Sequence, residues 1–317
     1  MIKNSKTLQI IKTVISILLF CILGGYLVRQ NDIVNNIRQI KAVDYLILVL
    51  LVAVSYVPNG IQLRMLLKRS GIKLSWTDTL FLPISMSLWS YIIPANGGFL
   101  YSLYFLAKKY QCKLESSSAV GIFIIYMLFI LSGVIGLGLS FFLPIKEGTV
   151  CFLLSVFCIS FPWCVRMGNF ILKILAERFL FLEKISRFIG NIVSDCHVWM
   201  LDRKVIIFNT LIVLSQLLLT YLIYVWIVHI LQAEINLPLL FLVVTVRRLS
   251  SLVRLLPGNL GLEEMMTGIF FSMAGLTLDM GLLIAAIART AQICILPCGM
   301  IHSLVNHSVS FRETSGK

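Results

Sequence analysis

Apolar residues occur in long runs along this 317-residue chain, and short polar stretches separate the runs. A helix needs about 20 mostly apolar residues to cross a bilayer, and most of these runs approach or exceed that length. The runs cover residues 8–28, 43–65, 80–106, 119–143, 150–165, 205–231, 237–273 and 281–305. The pattern therefore predicts an all-α polytopic membrane protein with about eight membrane segments.

Two of the runs, the third and the seventh, are interrupted near their middles by a Pro-x-Asn-x-Gly sequence. Proline removes a helical hydrogen bond and glycine weakens a helix, so neither run is expected to form one continuous helix. Broken backbone at membrane depth is tolerated only where it is buried in protein or lines a cavity. The predicted hairpin breaks are formed by Pro94, Gly97, Gly98, Pro257, Gly258 and Gly261.

The two breaks lie 163 residues apart, and the same offset superposes other runs. It carries 43–65 into the sixth run and 119–143 onto the eighth. An internal duplication superposes flanking segments in this way. We therefore expect one domain, 1–317, with repeats at 43–143 and 205–306. The alternative is chance similarity, because residue identity outside the Pro-x-Asn-x-Gly core is poor and apolar runs match each other easily.

Basic residues predict the orientation, because cytoplasmic loops of membrane proteins are enriched in lysine and arginine. The basic N-terminus and the segment 166–204, which holds seven basic residues, are expected on the cytoplasmic side. Basic residues flank the third run on both sides, whereas Glu234 and Asp279 flank the seventh. These flanks favour two re-entrant hairpins that enter from opposite faces and form an inverted repeat. The basic loop 29–42 falls outside in this arrangement and fits it poorly.

The segment 166–204 mixes apolar and charged residues at short intervals. This pattern predicts an amphipathic connector that lies on the cytoplasmic headgroups. A solvated connecting helix is the alternative.

Charged residues inside the apolar runs carry the strongest functional signal. A charge at the centre of a lipid-facing helix costs roughly 2.5 to 3.5 kcal/mol, so such residues are expected to face protein, water or a polar ligand. The pattern thus predicts a polar cavity within the membrane. The candidate substrate-binding residues are Arg247, Arg248, Arg254, Asn259, Glu263, Glu264, Arg289 and Asn96.

Arg289 has two interpretations that are compatible with each other. It either forms a buried ion pair with Glu263 or Glu264, which would lock the hairpin to the last segment, or it clamps a lipid phosphate. The planar guanidinium suits a phosphate better than a lysine does, because it donates two parallel hydrogen bonds.

The remaining polar candidates also have structural alternatives. Arg247 and Arg248 either face the cavity or snorkel to the headgroups from a hairpin arm. Arg254 lies closer to the second break, so it is the stronger candidate for a residue that faces the cavity. Asn96 and Asn259 are either turn residues or amides that line the pore.

Composition excludes an ordinary soluble domain, because 59% of the residues are hydrophobic, 13% are charged and the mean hydropathy is +0.95. The histidines have no metal-ligand spacing, no Ser-His-Asp or Cys-His arrangement is visible, and the eight cysteines are scattered. No Walker or dinucleotide glycine pattern occurs, so neither a cofactor nor a metal is expected. Attraction to the cytoplasmic leaflet accounts for the formal net charge of +13 without nucleic acid.

The sequence around the second break resembles a known family. The run from Leu256 to Glu264, followed by Gly275 and by Ala285-Ala286-Ile287-Ala288-Arg289, is similar to the signature of the lysylphosphatidylglycerol synthase transmembrane region. In that family's second half, a glycine is followed three residues later by glutamate, and a later helix bears arginine, as Gly261, Glu264 and Arg289 do here. In the first half, Phe99 and Ser102 stand where the family commonly has an acidic residue and an arginine, and Tyr126 is the offset partner of Arg289.

The resemblance implies a flippase-like domain, which in full-length relatives moves aminoacylated phosphatidylglycerol between leaflets. A stand-alone member without the C-terminal synthase domain is expected here. The expected function is translocation of an anionic phospholipid or lipid-linked intermediate in the cytoplasmic (plasma) membrane, in the setting of lipid metabolism and antibiotic resistance. The alternative is a phosphatidylglycerol lysyltransferase-type enzyme, or a membrane scaffold for a separate transferase. Autonomous catalysis is not expected.

Overall fold

The computed structural model describes residues 40–93, 96–141, 145–178, 180–250 and 259–314. Within these residues the chain forms ten helices and no strand, so the all-α prediction is confirmed, while the predicted run 8–28 lies outside the described residues. The helices are α1 (Ala42–Arg69), α2 (Trp76–Ile92), α3 (Gly97–Tyr110), α4 (Leu114–Ser140), α5 (Ile145–Arg178), α6 (Leu180–Leu201), α7 (Arg203–Ile230), α8 (Leu237–Ser250), α9 (Leu262–Met273) and α10 (Leu278–Thr314).

Five of these helices contain a stretch that is long and apolar enough to cross a membrane. These stretches are all of α1, α4 and α7, together with Ser155–Ala176 in α5 and Leu278–Asn306 in α10. The third run is instead split into two short helices, of 17 and 14 residues. At 1.5 Å per residue these two arms measure about 21 to 26 Å, less than the hydrocarbon thickness of about 30 Å. In the seventh run, α8 and the 12-residue α9 lie on either side of residues 251–258, which are outside the described residues.

The first break produces a tight helical hairpin between α2 and α3. A Cβ added to Gly98 would lie 2.0 Å from the carbonyl oxygen of Met86, so only glycine lets the start of α3 lie this close to α2. The rings of Trp89 and Tyr101 stack with their centroids 5.3 Å apart. Residues twelve positions apart lie about 18 Å apart along a straight helix, so these contacts require the chain to reverse.

The hairpin is also joined at its open end. The backbone amide of Ser75, just before α2, donates a 3.0 Å hydrogen bond to the hydroxyl of Tyr110, the last residue of α3. The two ends of the third run therefore meet.

The described helices form two compact units, and the first contains the described residues within 1–60, 76–102 and 216–317. Its core combines residues of α1, α2, α7, α8, α9 and α10, with the ring centroids of Tyr224 and Phe271 5.5 Å apart. α10 packs along α2, where Gly299 is so close to Ile84 that an added Cβ would lie 2.8 Å from backbone carbon. Small residues permit this close approach of membrane helices.

The second unit contains residues 61–75 and the described residues within 103–215, and α4, α5 and α6 form its centre. The rings of Phe129 and Phe161 stack at 4.1 Å, and Phe123 meets Trp199 edge to face. The predicted connector 166–204 is not one helix. Its first part belongs to α5, which includes Pro162 and continues to Arg178, because apolar residues persist on the exposed face of the helix. The rest of the segment forms α6.

Candidate functional site

Four charged side chains from α8, α9 and α10 form a continuous chain of ion pairs in the first unit. Arg247 Nη2 lies 2.6 Å from Glu263 Oε1, and Arg289 Nη2 lies 2.8 Å from Glu263 Oε2. Arg289 Nε lies 2.6 Å from Glu264 Oε1. We call these four residues the charged cluster. The predicted pairing of Arg289 is confirmed, and it involves both glutamates.

The charged cluster is shielded from the surroundings. The exposed fractions of the side chains of Arg289, Glu264, Glu263 and Arg247 are 6%, 7%, 14% and 19%. Removing one partner of a buried ion pair costs about 3 to 5 kcal/mol, because an uncompensated charge is left behind. The arrangement therefore locks the α8–α9 pair to α10.

Local geometry at the start of α9 explains the spacing of glycine and glutamate. Gly261 has a φ of 81°, which glycine adopts without strain, and its amide donates a 2.7 Å hydrogen bond to Glu264 Oε2. A carboxylate in the first turn of a helix also interacts favourably with the helix dipole. Glu264 therefore caps α9 with one oxygen and holds Arg289 with the other.

A set of uncharged groups extends the cluster towards α1 and α2. Arg289 Nη1 donates to the Tyr91 hydroxyl at 2.7 Å, and that hydroxyl donates to Gln292 Oε1 at 3.3 Å. Gln292 Nε2 in turn donates to Tyr56 at 3.1 Å and to Ser87 at 3.2 Å. We call Tyr56, Ser87, Tyr91 and Gln292 the neutral network. Sequence reasoning missed it, although Gln292 follows Arg289 by three residues and Tyr91 follows Ser87 by four, spacings that share a helix face.

Arg248 lies in a different environment from Arg247. Its Nη2 donates to Asn59 Oδ1 at 3.1 Å and to Gln216 Oε1 at 3.2 Å, which joins α8 to α1 and α7. Arg247 contacts Thr267 and the ring of Tyr224 as well as Glu263. Both arginines are half-buried, and their described contacts are with protein.

The two asparagines have the same backbone conformation at the two breaks. Asn96 has a φ of 66° and Asn259 a φ of 49°, in the left-handed region that asparagine tolerates better than most residues. The carbonyl of Asn96 accepts hydrogen bonds from Phe99 and Leu100, and its side chain is exposed, whereas Asn259 is buried. The backbone conformation agrees with the turn interpretation at both breaks. The predicted residues Pro94, Arg254, Pro257 and Gly258 lie outside the described residues.

A second buried polar arrangement joins α2 to α10. His302 Nε2 lies 2.9 Å from Asp78 Oδ1, and its Nδ1 lies 2.9 Å from Ser85 Oγ. Although no Ser-His-Asp spacing is visible in the sequence, the fold brings these three residues together. Ser85 is fully buried and also donates to the carbonyl of Gly299 at 3.0 Å, so its hydroxyl is inaccessible to a substrate. The contact fastens the two helices.

Within the part of the chain that the structure describes, no three histidine, cysteine, aspartate or glutamate side chains cluster in a way that could hold a metal ion.

The comparisons with known proteins give one family. Residues 9–298 match the family model described as the lysylphosphatidylglycerol synthase TM region. No curated protein and no solved structure matches the chain. The match covers most of the sequence, and its apolar helices agree with a membrane location. This chain is therefore an integral membrane protein that belongs to the lysylphosphatidylglycerol synthase TM region family.

Proposed function

We propose that this protein translocates an anionic phospholipid, or a lipid-linked intermediate, across the cytoplasmic (plasma) membrane, and that the headgroup passes through the polar interior of the first unit. The observation that carries the proposal is the charged cluster itself, together with Arg248, inside apolar helices. Ionisable residues in membrane helices usually mark a substrate or ion pathway.

Arg248 is the arginine most suited to accept a phosphate first. Its described partners are the amide oxygens of Asn59 and Gln216, whereas Arg289 is held by carboxylates. A hydrogen bond to a charged group is worth about 1.5 to 3 kcal/mol and a neutral one about 0.5 to 1.5 kcal/mol. Exchanging an amide oxygen for a phosphate oxygen is therefore favourable at Arg248, while exchanging a carboxylate for a phosphate is close to neutral.

The guanidinium groups support an anion as the substrate. Arg247, Arg248 and Arg289 all lie in this region of the first unit. A guanidinium can donate two parallel hydrogen bonds to a phosphate, which a neutral headgroup cannot match in strength.

We also propose that the hairpins α2–α3 and α8–α9 are re-entrant and belong to an inverted repeat with about eight membrane segments. Three features support this proposal: α2 and α3 are both shorter than the hydrocarbon thickness, they contact each other after the break, and Arg247 of α8 pairs with Glu263 in the first turn of α9. The left-handed asparagines at both breaks support the repeat. Broken helices near the midplane form the substrate sites of many transporters.

A scaffold for a separate transferase is the second candidate. It is favoured by Arg289, whose guanidinium nitrogens are all engaged in hydrogen bonds within the protein. Its Nε, Nη1 and Nη2 atoms all have acceptors within 2.8 Å. Such a closed arrangement also serves as a purely structural lock. Transport requires that the ion pairs open when a lipid enters.

Liposome reconstitution distinguishes the two functions. The full chain is placed in phosphatidylcholine vesicles that contain a trace of fluorescent phosphatidylglycerol or fluorescent phosphatidylcholine, and access of a membrane-impermeant quencher to inner-leaflet lipid is timed. We expect the protein to accelerate the translocation of phosphatidylglycerol more than that of phosphatidylcholine. Arg248→Gln should lower the rate of phosphatidylglycerol translocation on the order of tenfold, because about 1.4 kcal/mol of interaction is lost.

Arg187→Gln is the matched control, since Arg187 is an exposed arginine on α6 that pairs with Glu183. This variant should keep the wild-type rate. Translocation rates equal to those of protein-free vesicles would contradict the translocation function and favour the scaffold function. A separate assay for transfer of lysine from lysyl-tRNA to phosphatidylglycerol tests the enzyme alternative.

A further inference from the structure

A small cavity lies between the end of α1 and the start of α7 in the second unit. Its volume is about 210 Å³, and it is lined by Met65, Arg69, Lys204, Val205 and Phe208. Three of these residues are apolar and two are basic, and the surface that lines the cavity is almost wholly apolar.

Two polar contacts fix the register of the helices around this cavity. Arg69 Nη2 lies 3.0 Å from Asp202 Oδ2 where the helices end, and Gln62 Nε2 donates to Asn209 Oδ1 at 3.0 Å seven residues further along each helix. The second contact is buried. Equal steps in opposite sequence directions show that α1 and α7 run antiparallel here. Met65 and Phe208 therefore lie between the charged end and the buried amide pair.

The charged end is strongly basic. Lys68, Arg69, Arg203 and Lys204 are all exposed there, and Asp202 is the acidic residue among them. Asp202 is occupied with Arg69 and with the backbone amides of Lys204 and Val205 at the start of α7. Lys204 is an exposed residue that lines the cavity.

We propose that this cavity, which we call the groove, binds the headgroup of an anionic phospholipid from the surrounding bilayer. Lys204 holds the phosphate beside the ion pair of Arg69 and Asp202, and the first acyl methylenes lie on Met65 and Phe208. Basic pockets between transmembrane helices are a recognised form of anionic-lipid site. The site is separate from the proposed translocation pathway and does not depend on it.

The position of the groove favours a lipid over a soluble phosphate. α1 and α7 both have the length and hydropathy of membrane spans, so the residues at their ends lie near the headgroups. Phe208 is 44% exposed and Ile207 61% exposed, one turn from Lys204, which is suitable for contact with acyl chains. A soluble phosphate would use the cations and gain nothing from this apolar surface.

Bound lipid should stabilise the protein, because a ligand that binds only the folded state raises the unfolding temperature. The full chain in a neutral detergent is titrated with dioctanoyl phosphatidylglycerol, dioctanoyl phosphatidylcholine or glycerol 3-phosphate, and Tm is recorded. We expect phosphatidylglycerol to raise Tm more than either other compound. Lys204→Gln should remove at least half of that rise, and Phe208→Ala should reduce it.

Lys68→Gln is the control, because Lys68 is a neighbouring exposed lysine that does not line the cavity. It should keep the full rise. Arg248→Gln separates this groove from the translocation pathway. The rise in Tm with phosphatidylglycerol that remains in Arg248→Gln should equal the part of the wild-type rise that Lys204→Gln removes.

Three outcomes would overturn the proposal. An equal rise with phosphatidylcholine excludes recognition of charge, and an equal rise with glycerol 3-phosphate excludes the acyl contact. A wild-type response in Lys204→Gln excludes the groove as the site. If Lys204→Gln keeps the response while Arg248→Gln loses it, the groove fails and the proposed translocation pathway stands.

Discussion

Glu263 and Glu264 are adjacent in sequence but have different surroundings. Glu264 is tied to the backbone of Gly261 as well as to Arg289, so its position is part of the start of α9. Glu263 bridges Arg247 and Arg289 and is twice as exposed, at 14% against 7%. Glu264 is therefore part of the local structure of α9, and under the proposed function we expect Glu263 to be the carboxylate that releases an arginine.

The buried pair of Arg289 and Glu264 should show strong thermodynamic coupling. Arg289→Gln and Glu264→Gln should each lower the free energy of unfolding by about 3 to 5 kcal/mol, because each leaves one buried charge uncompensated. The double variant should lose clearly less than the sum, and denaturant unfolding of all four proteins measures the difference. Arg187→Gln, which breaks an exposed pair, should change stability by less than about 1 kcal/mol. Strict additivity would show that the two residues act independently.

Asp195 on α6, outside the spanning stretches, should make stability depend on pH. Burial, and secondarily the negative charge of Glu115, raises the pKa of this carboxyl. The folded state therefore holds the proton more tightly than the unfolded state, whose pKa is about 3.9, and stability falls as pH rises from there through the folded pKa. Asp195→Asn should raise Tm at pH 7 and lose this advantage below pH 4. A difference in Tm that is constant between these two pH values would contradict the assignment.

At the scale of the helices, apolar runs predicted the spans α1, α4, α7 and α10 and the two breaks, because both depend on local composition. The predicted run 150–165 ended too early, because α5 continues to Arg178 with apolar residues on its exposed face between the charged ones. The free-energy cost of an isolated charge in lipid predicted that Arg289 would form an ion pair with a carboxylate. No local rule connects Asp78, Ser85 and His302, which come together only when α2 packs on α10.

The hairpin of α2 and α3 should depend on Gly98. An added Cβ would lie 2.0 Å from a backbone oxygen and 2.4 Å from Ser90 Oγ, so Gly98→Ala must push the helices apart. We expect a loss of about 1 to 3 kcal/mol in the free energy of unfolding, as for other overpacked sites.

Gly138→Ala provides the matched control in α4. A Cβ at Gly138 would meet nothing within 4 Å, and alanine favours a helix over glycine by about 0.5 to 1 kcal/mol. This substitution should be neutral or stabilising. If both variants lost the same stability, close packing at Gly98 would not be the cause.

At the scale of the whole molecule, the proposed re-entrant hairpin determines how the chain would cross the membrane. A spanning third segment would place its two basic flanks on opposite sides, against the tendency of lysine and arginine to stay in the cytoplasm. The hydrogen bond between Ser75 and Tyr110 instead joins the two ends of that segment. Contact geometry and charge thus favour the same re-entrant arrangement.

Labelling of introduced cysteines tests this arrangement. In a background without the eight native cysteines, Lys73→Cys and Lys113→Cys should react with a membrane-impermeant maleimide from the same side, because they flank the joined ends of α2 and α3. Glu234→Cys, in the exposed loop between α7 and α8, should react from the other side if the second hairpin enters from the opposite face. Labelling of positions 73 and 113 from opposite sides would require the third segment to cross fully. The fold-back contacts of Gly98 and Tyr101 would then be incompatible with the membrane-embedded state, and the inverted-hairpin pathway would fail with them.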